Sequence, residues 1–193
     1  MARPTLAPVR RAQIIEAATT IVAQVGLRAT TLEQIAEASG LSRSHIRHYL
    51  GNRSEIMRAV WAPAIDPYLL ELRRLDDPRD PAGSLRAIVD FHFGPLFHSS
   101  DDDFILGAML NGAGEDELLQ GSVHDAYREM VSVIASLIVL NDPRIAAADA
   151  EQRAFDLLCL VIGTSRLSRL PFDPSLREGS RRQGLAIVGV ADR

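Results

Sequence analysis

Three glycines cut the first sixty residues into short segments of helical period. Ile14, Ile15, Ala18, Ile21, Val22 and Val25 recur at the spacing of one helix face, and Gly26 stops the run as a C-cap would. Thr30 or Thr31 opens a second helix, Leu32 to Ala38, with Glu33 or Gln34 placed to close a capping box. Gly40 ends it. Ser42 can cap a third helix, Arg43 to Tyr49; Gly51-Asn52 then breaks the chain, and a fourth helix starts near Ser54.

Two short helices joined by a turn containing Gly form a helix-turn-helix. Ala36 is small enough to let the second helix cross close to the first, and Gly40, four residues on, supplies the turn. Ile35, Leu41 and Ile46 point inward and hold the crossing angle. The second helix offers Arg43, Ser44, Arg47 and His48 outward, with His45 near the edge. In such a motif the second helix enters the major groove, where Arg suits guanine O6 and N7. Tyr49 and Arg53 sit where phosphate contacts would clamp the register. Thr31 can offer its hydroxyl and a helix N-terminus to another phosphate. Ser42, at the start of the reading helix, and Arg28, before the first turn, complete the set of candidate DNA contacts. The alternative is an ordinary helical hairpin, and charge weighs against it.

All 21 basic side chains are Arg, against 25 Asp plus Glu, for a formal charge of −4 over 193 residues. That total alone argues against a nucleic-acid partner, but it averages two unlike parts. Residues 1–60 hold eight Arg and four acids, +4; residues 61–193 hold 13 Arg and 21 acids, −8. A basic head on an acidic body is the asymmetry expected of a nucleic-acid binder.

The rest also reads as helix, since no stretch alternates apolar and polar residues for long. The fourth helix meets Pro63 and Pro67, should kink or restart there, and should end near Asp77-Pro78. Leu85, Ile88, Val89, His92, Phe93, Leu96 and Phe97 make one stripe that Gly94-Pro95 should distort. Further helices are expected over about 104–112, 117 or 122 to 140, 148–169 and 174–190. Leu157 to Ile162 is apolar all round, so it needs cover from its own core and from a partner. Gly179, Gly184 and Gly189 would permit close approach in the last helix. The longest strongly apolar stretch, Val131 to Leu140, is half the roughly 20 residues a membrane span needs. With no signal-peptide core at the N-terminus, the expected location is cytoplasmic.

The run Ile14-Ile15-Ala18, Gly26, Thr30-Thr31, Ile35-Ala36, Gly40-Leu41-Ser42 and His48-Tyr49-Leu50-Gly51-Asn52-Arg53-Ser54-Glu55-Ile56 resembles the N-terminal domain of TetR-family transcriptional regulators. The His-Tyr-Leu run looks most like the subgroup of the choline-responsive repressor of glycine betaine synthesis. Arg47 replaces a Tyr common in the family's recognition helix, Leu50 replaces the usual Phe, and Arg53 replaces the usual Lys with its charge kept. These departures bear on the operator sequence more than on DNA binding itself.

The resemblance implies an all-α chain of about nine helices. Residues 1–53 would be a three-helix helix-turn-helix domain, and residues 54–193 a helical domain that binds a small molecule and dimerises through its last two helices. Polar and aromatic residues on apolar faces are the candidate effector lining: Trp61, Tyr68, Val89, His92, Phe93, Phe104, Met109, Asn111, Tyr127 and Met130. Function then reads as a homodimeric repressor of a palindromic operator, released by an effector. The rivals are a helical small-molecule-binding protein that has lost DNA recognition, and a small all-α enzyme. No catalytic residue, metal ligand set or cofactor is expected. His92, His98 and His124 lack ligand spacing, Asp101-Asp102-Asp103 reads as a loop and N-cap, and there is no nucleophile motif or phosphate loop. Cys159, alone in the chain, sits in the most apolar run, where a thiol is usually inert.

Overall fold

The structure is a computed structural model that describes residues 6–94, 101–168 and 170–192, leaving aside the side chains of 101–104 and 115. The described residues form helices α1 (Ala7–Ala29), α2 (Leu32–Ser39), α3 (Arg43–Leu50), α4 (Arg53–Leu75), α5 (Pro81–Phe93), α6 (Asp101–Gly112), α7 (Glu117–Asn141), α8 (Ala147–Leu167) and α9 (Ser175–Val188), with a 3-10 turn at Ala113–Glu115. There is no strand among them. The fold is all-α, with an N-terminal helix-turn-helix followed by a helical body.

Local signals set most boundaries. Gly26 takes φ 81°, ψ 166°, a break inside α1 that only one more helical turn follows. Thr31 caps α2 in a full capping box with Gln34. Gly40 closes α2 in the left-handed region at φ 63°. Ser42 caps α3, accepting from the His45 N–H at 3.3 Å.

Helix α4 runs through Pro63 and Pro67 without restarting and ends at Leu75, near the expected Asp77-Pro78. Each proline removes one N–H, freeing the carbonyls of Ala59 and Pro63. Pro63 and Pro67 lie exposed on one side of the helix, where water can satisfy those carbonyls; Ala64, Ile65, Tyr68 and Leu69 keep the other side buried. Helix α5 stops at Phe93, and Gly94 is extended (ψ 165°). Leu96 and Phe97 of the expected stripe, and His98, lie outside the described residues. The three aspartates begin α6 rather than form a loop before it.

By contacts the chain divides into two compact units, Met1–Pro67 with Phe104–His124, and Tyr68–Asp103 with Asp125–Arg193. In the first, Ile14, Ala18, Val22, Ile35, Ile46, Ile56 and Met57 are buried together with Ile105, Met109 and Leu119. There α6 packs so closely that a Cβ on Gly112 would lie 2.6 Å from Leu27 Cδ2. Arg58 and Asp116 form an ion pair at 3.3 Å, and Asp116 also accepts the N–H groups of Leu118 and Leu119 at 3.1 Å as the cap of α7. Burial alone would push the Asp116 carboxyl up. The Leu119 N–H, the Ser54 hydroxyl and Arg58 outweigh it and hold the group below the usual carboxylate range.

The second unit buries α5 against α8 and α9 through Leu85, Ile88, Val89, Phe93, Leu157, Val161, Leu185 and Val188. The last helix can lie this close because of Gly184, whose added Cβ would stand 3.1 Å from both Leu157 Cδ1 and Phe93 Cε2. The other two glycines of α9 act differently. Gly179 faces open space, and Gly189 is the left-handed C-cap at φ 77°. Arg181 ties α9 to α5 and the C-terminal residues through Asp90 (2.7 Å), Glu178 (3.1 Å) and Asp192 (3.0 Å), with its pKa held above the ordinary Arg value mainly by the Asp90 bond. The run 157–162 is only part core: Leu157, Leu158 and Val161 are buried. Cys159, expected among apolar neighbours, is exposed. No described helix is long and apolar enough to cross a membrane.

Candidate nucleic-acid interface

The exposed face of α3 is built by the pattern that fixes its buried face. Ile46 and Leu50, four apart, point into the head and are buried. That rotation turns Arg43, Ser44, His45, Arg47 and His48 to solvent, and all five are exposed. Among the described residues Arg43 meets only a loose partner, Glu33 at 3.8 Å, with both side chains well solvated. Such a surface pair contributes little and leaves Arg43 available. The Ser42 and Ser44 hydroxyls lie 2.8 Å apart beside the N-terminal turn of α3. Tyr49 is half-buried, its ring edge-on to His48 at 4.9 Å.

Other candidates take up protein partners. The exposed Thr31 accepts from the Gln34 N–H at 3.2 Å through its hydroxyl, which also donates to Gln34 Oε1 at 3.0 Å. Arg28 is exposed at the end of α1. Arg53 is different. Its Nε donates to the Thr30 carbonyl at 2.7 Å and its Nη2 to the Leu27 carbonyl.

Two contacts in the head escaped the sequence reading. Arg11 Nη1 donates to the Tyr49 carbonyl at 2.5 Å, at the C-terminal end of α3. Gln13 Nε2 donates to the Ser39 carbonyl at 2.6 Å, at the end of α2. These partners lie 38 and 26 residues apart in the chain, and no local pattern announces such pairs.

The candidate effector lining divides between the units. Trp61, Met109, Phe104 and Asn111 belong to the first; Tyr68, Val89, His92, Phe93, Tyr127 and Met130 belong to the second. Trp61, Tyr68, Val89, His92, Phe93, Met109 and Met130 are buried, Tyr127 is half-buried and Asn111 is exposed. The side chain of Phe104 lies outside those described. The His92 Nδ1 lies 2.7 Å from the Ile88 carbonyl of its own helix, and its ring stands edge-on to Phe91 at 5.2 Å. In the second unit, an open cleft of about 400 Å³ is lined by Asp90, Phe93, Gly94, Pro174, Arg177, Glu178 and Arg181. Of the expected lining, it includes Phe93 alone. No cluster of metal-ligating side chains occurs among the described residues.

Comparison with known proteins agrees with this head. Residues 14–60 match the model of the bacterial regulatory proteins of the tetR family. The regulator BetI of Burkholderia ambifaria, an HTH-type transcriptional regulator, is 28% identical over 163 residues, covering 80% of this chain and 79% of its own. Among solved structures, a transcriptional regulator of Pseudomonas aeruginosa PAO1 superposes with a TM-score of 0.76 at 21% identity, over 94% of this chain and 89% of its own. AibR, solved in complex with isovaleryl coenzyme A and operator DNA, superposes with a TM-score of 0.73 at 17% identity, over 90% and 97%. The helix-turn-helix with its solvent-facing Arg and His row thus matches that family's N-terminal domain over residues 14–60, and the helical body that follows has the fold of these solved regulators.

Proposed function

We propose that this chain is a transcriptional regulator of the TetR family, a homodimeric repressor that binds a palindromic DNA operator and leaves it when a small-molecule effector binds. The observation that carries the reading is the exposed basic and imidazole face of α3 in a chain whose charge is otherwise acidic. Arg43 and Arg47 are the base readers, and Ser42, Ser44, His45, His48, Tyr49, Thr31 and Arg28 are the surrounding contacts. The functional division follows residues 1–53 as reading head and 54–193 as effector and dimer domain, working in the cytoplasm where the DNA is. The effector lining is drawn from Trp61, Tyr68, Val89, His92, Phe93, Phe104, Met109, Asn111, Tyr127 and Met130. That AibR was solved with both an acyl coenzyme A and operator DNA supports a body of this fold taking a small organic ligand.

Dimerisation through α8 and α9 is supported by what the monomer leaves uncovered. Phe155 and Leu167 on α8 are more than half exposed, as is Leu176 on α9, with Cys159 exposed between the first two. A row of large apolar side chains in water marks a contact surface, and a two-fold dimer is the commonest assembly that would cover it. Repression would then be a coupling between two sites. An effector that binds one conformation of the dimer better draws it away from the conformation that fits the operator, by no more than its difference in affinity for the two.

The test is fluorescence titration of duplex DNA from upstream of the gene at two salt concentrations. Tight binding that falls steeply with salt is expected. Equal, weak binding to every duplex would instead mean a helical ligand-binding protein without sequence recognition.

A further inference from the structure

Each of the three helices of the reading head ends in carbonyls that the helix itself cannot satisfy. Here a side chain from elsewhere in the head reaches each end. Gln13 of α1 bonds Ser39 at the end of α2, and Arg11 of α1 bonds Tyr49 at the end of α3. Arg53, the first residue of α4, bonds both Leu27 and Thr30 at the end of α1.

Arg53 does the most, because it faces the least regular helix end. Gly26 breaks α1 one turn early, so Leu27–Ala29 make a short turn before Thr30 goes extended. Thr30 is 1% exposed, and its hydroxyl returns to the Gly26 carbonyl at 2.8 Å. The next residue, Thr31, caps α2. The planar guanidinium holds two carbonyls of this joint with two differently directed N–H groups, while its own backbone is separated from α3 by Gly51 and Asn52 alone. It therefore fastens the exit of the reading helix to the joint that begins the helix-turn-helix.

We infer that Arg53 is a positioning residue for DNA binding. It sets the angle at which α3 leaves the head by capping α1, and it does not serve as a phosphate contact. This rests on the DNA-binding reading of α3. The position looks like one for a phosphate cation by sequence, but the side chain is half-buried and its Nε–H and one Nη2–H, two of its five donors, are directed at carbonyls.

The discriminating variants are Arg53→Lys and Arg53→Ala in the full chain, with Arg28→Ala beside them. The probe is a duplex selected by the wild-type protein from random-sequence DNA. A lysine keeps the charge but cannot hold two carbonyls in a fixed fork. If Arg53 positions α3, Arg53→Lys weakens the duplex about tenfold at a temperature where circular dichroism shows it fully folded. The slope of log affinity against log salt then stays at the wild-type value, and amide exchange over residues 30–35 quickens. Arg53→Ala does the same more strongly. If Arg53 instead contacts a phosphate, Arg53→Lys binds like wild type, Arg53→Ala lowers the slope by roughly one per subunit, and exchange is unchanged. That result overturns the inference, as does unchanged affinity in a folded Arg53→Ala protein. If the wild type selects no duplex, the reading of α3 has failed, and quickened or unchanged exchange still decides for or against the Arg53 cap.

Discussion

Two faces of the molecule stay open to solvent, and they are open in opposite ways. On α3 the exposed side carries Arg43, Ser44, His45, Arg47 and His48, without one large apolar residue. On α8 the exposed side carries Phe155, Cys159 and Leu167, and α9 adds Leu176. Both helices bury an ordinary aliphatic face, Ile46 and Leu50 in one, Leu157, Leu158 and Val161 in the other. The difference therefore lies in what each was left to meet. A polyanion rewards fixed positive groups that keep their water until contact. A second protein chain rewards apolar area that water covers poorly. Burial alone would not separate these two helices, whereas the chemistry of their exposed sides does.

The largest expected effect comes from spoiling the apolar face. Phe155→Glu should turn a dimer into a monomer on size-exclusion chromatography with light scattering. Operator affinity should then fall on the order of 100-fold or more, because two tethered heads gain from effective concentration and one head does not. A variant that stayed dimeric and bound normally would remove α8 from the interface.

Spoiling the charged face comes next. Arg43→Ala or Arg47→Ala should cost about 1–3 kcal/mol if the side chain reads a base, and should relax preference at one operator position per half-site. Full affinity in both variants would reject α3 as the reader. Phe155→Glu should leave the specificity pattern intact while lowering affinity, and the two Arg variants should leave the dimer intact. That crossed outcome would establish the two faces as separate functions.

The sequence disclosed these two faces unequally. The head was legible almost to the residue, because its signals are local: Thr31 with Gln34, Gly40, and Ser42 are turn and cap chemistry spanning four residues or fewer. Whether α4 would restart at its prolines was not legible, since proline's cost depends on whether the freed carbonyls reach water, and that depends on packing. Which side of the run 157–162 faces its own core was hidden for a related reason, and Cys159 falls on the other side. A run that is apolar all round does not say which side its own core takes. The two carbonyls that Arg53 holds lie 23 and 26 residues back, beyond the reach of any local pattern.

A smaller effect should appear with pH. Asp116 caps α7 and pairs with Arg58, and its pKa is lowered in the folded chain. Its contribution is then fully present above the unfolded value and is lost as pH falls through the folded one. Chemical denaturation from pH 7 down to pH 3 should show wild type losing more stability than Asp116→Asn, with the two curves converging in acid. Parallel curves would mean the pair contributes nothing. Asp116 is not among the proposed DNA contacts, so at neutral pH the DNA specificity of Asp116→Asn should equal wild type.

The smallest effect separates the inner from the outer side of α9. At Gly184 an added methyl meets Leu157, Phe93 and Val89 at 3.1 to 3.4 Å. Those atoms are side-chain ends that can shift by a few tenths of an ångström, so overpacking is partly relieved. Alanine also gains up to about 1 kcal/mol of helix propensity over glycine. The two terms oppose, and Gly184→Ala should come out destabilised by roughly 1 kcal/mol or less. Gly179 has nothing within 4 Å, so only the propensity gain remains within one subunit. Gly179→Ala should raise monomer stability by about 0.5–1 kcal/mol. Both substitutions are best measured in the Phe155→Glu background, where subunit contacts no longer mix with folding. In the dimer the gain at Gly179 should persist if that position is solvated, and should vanish or reverse if the partner packs against it. Comparing the two backgrounds thus shows whether the partner-facing surface of α8 extends onto the outer side of α9.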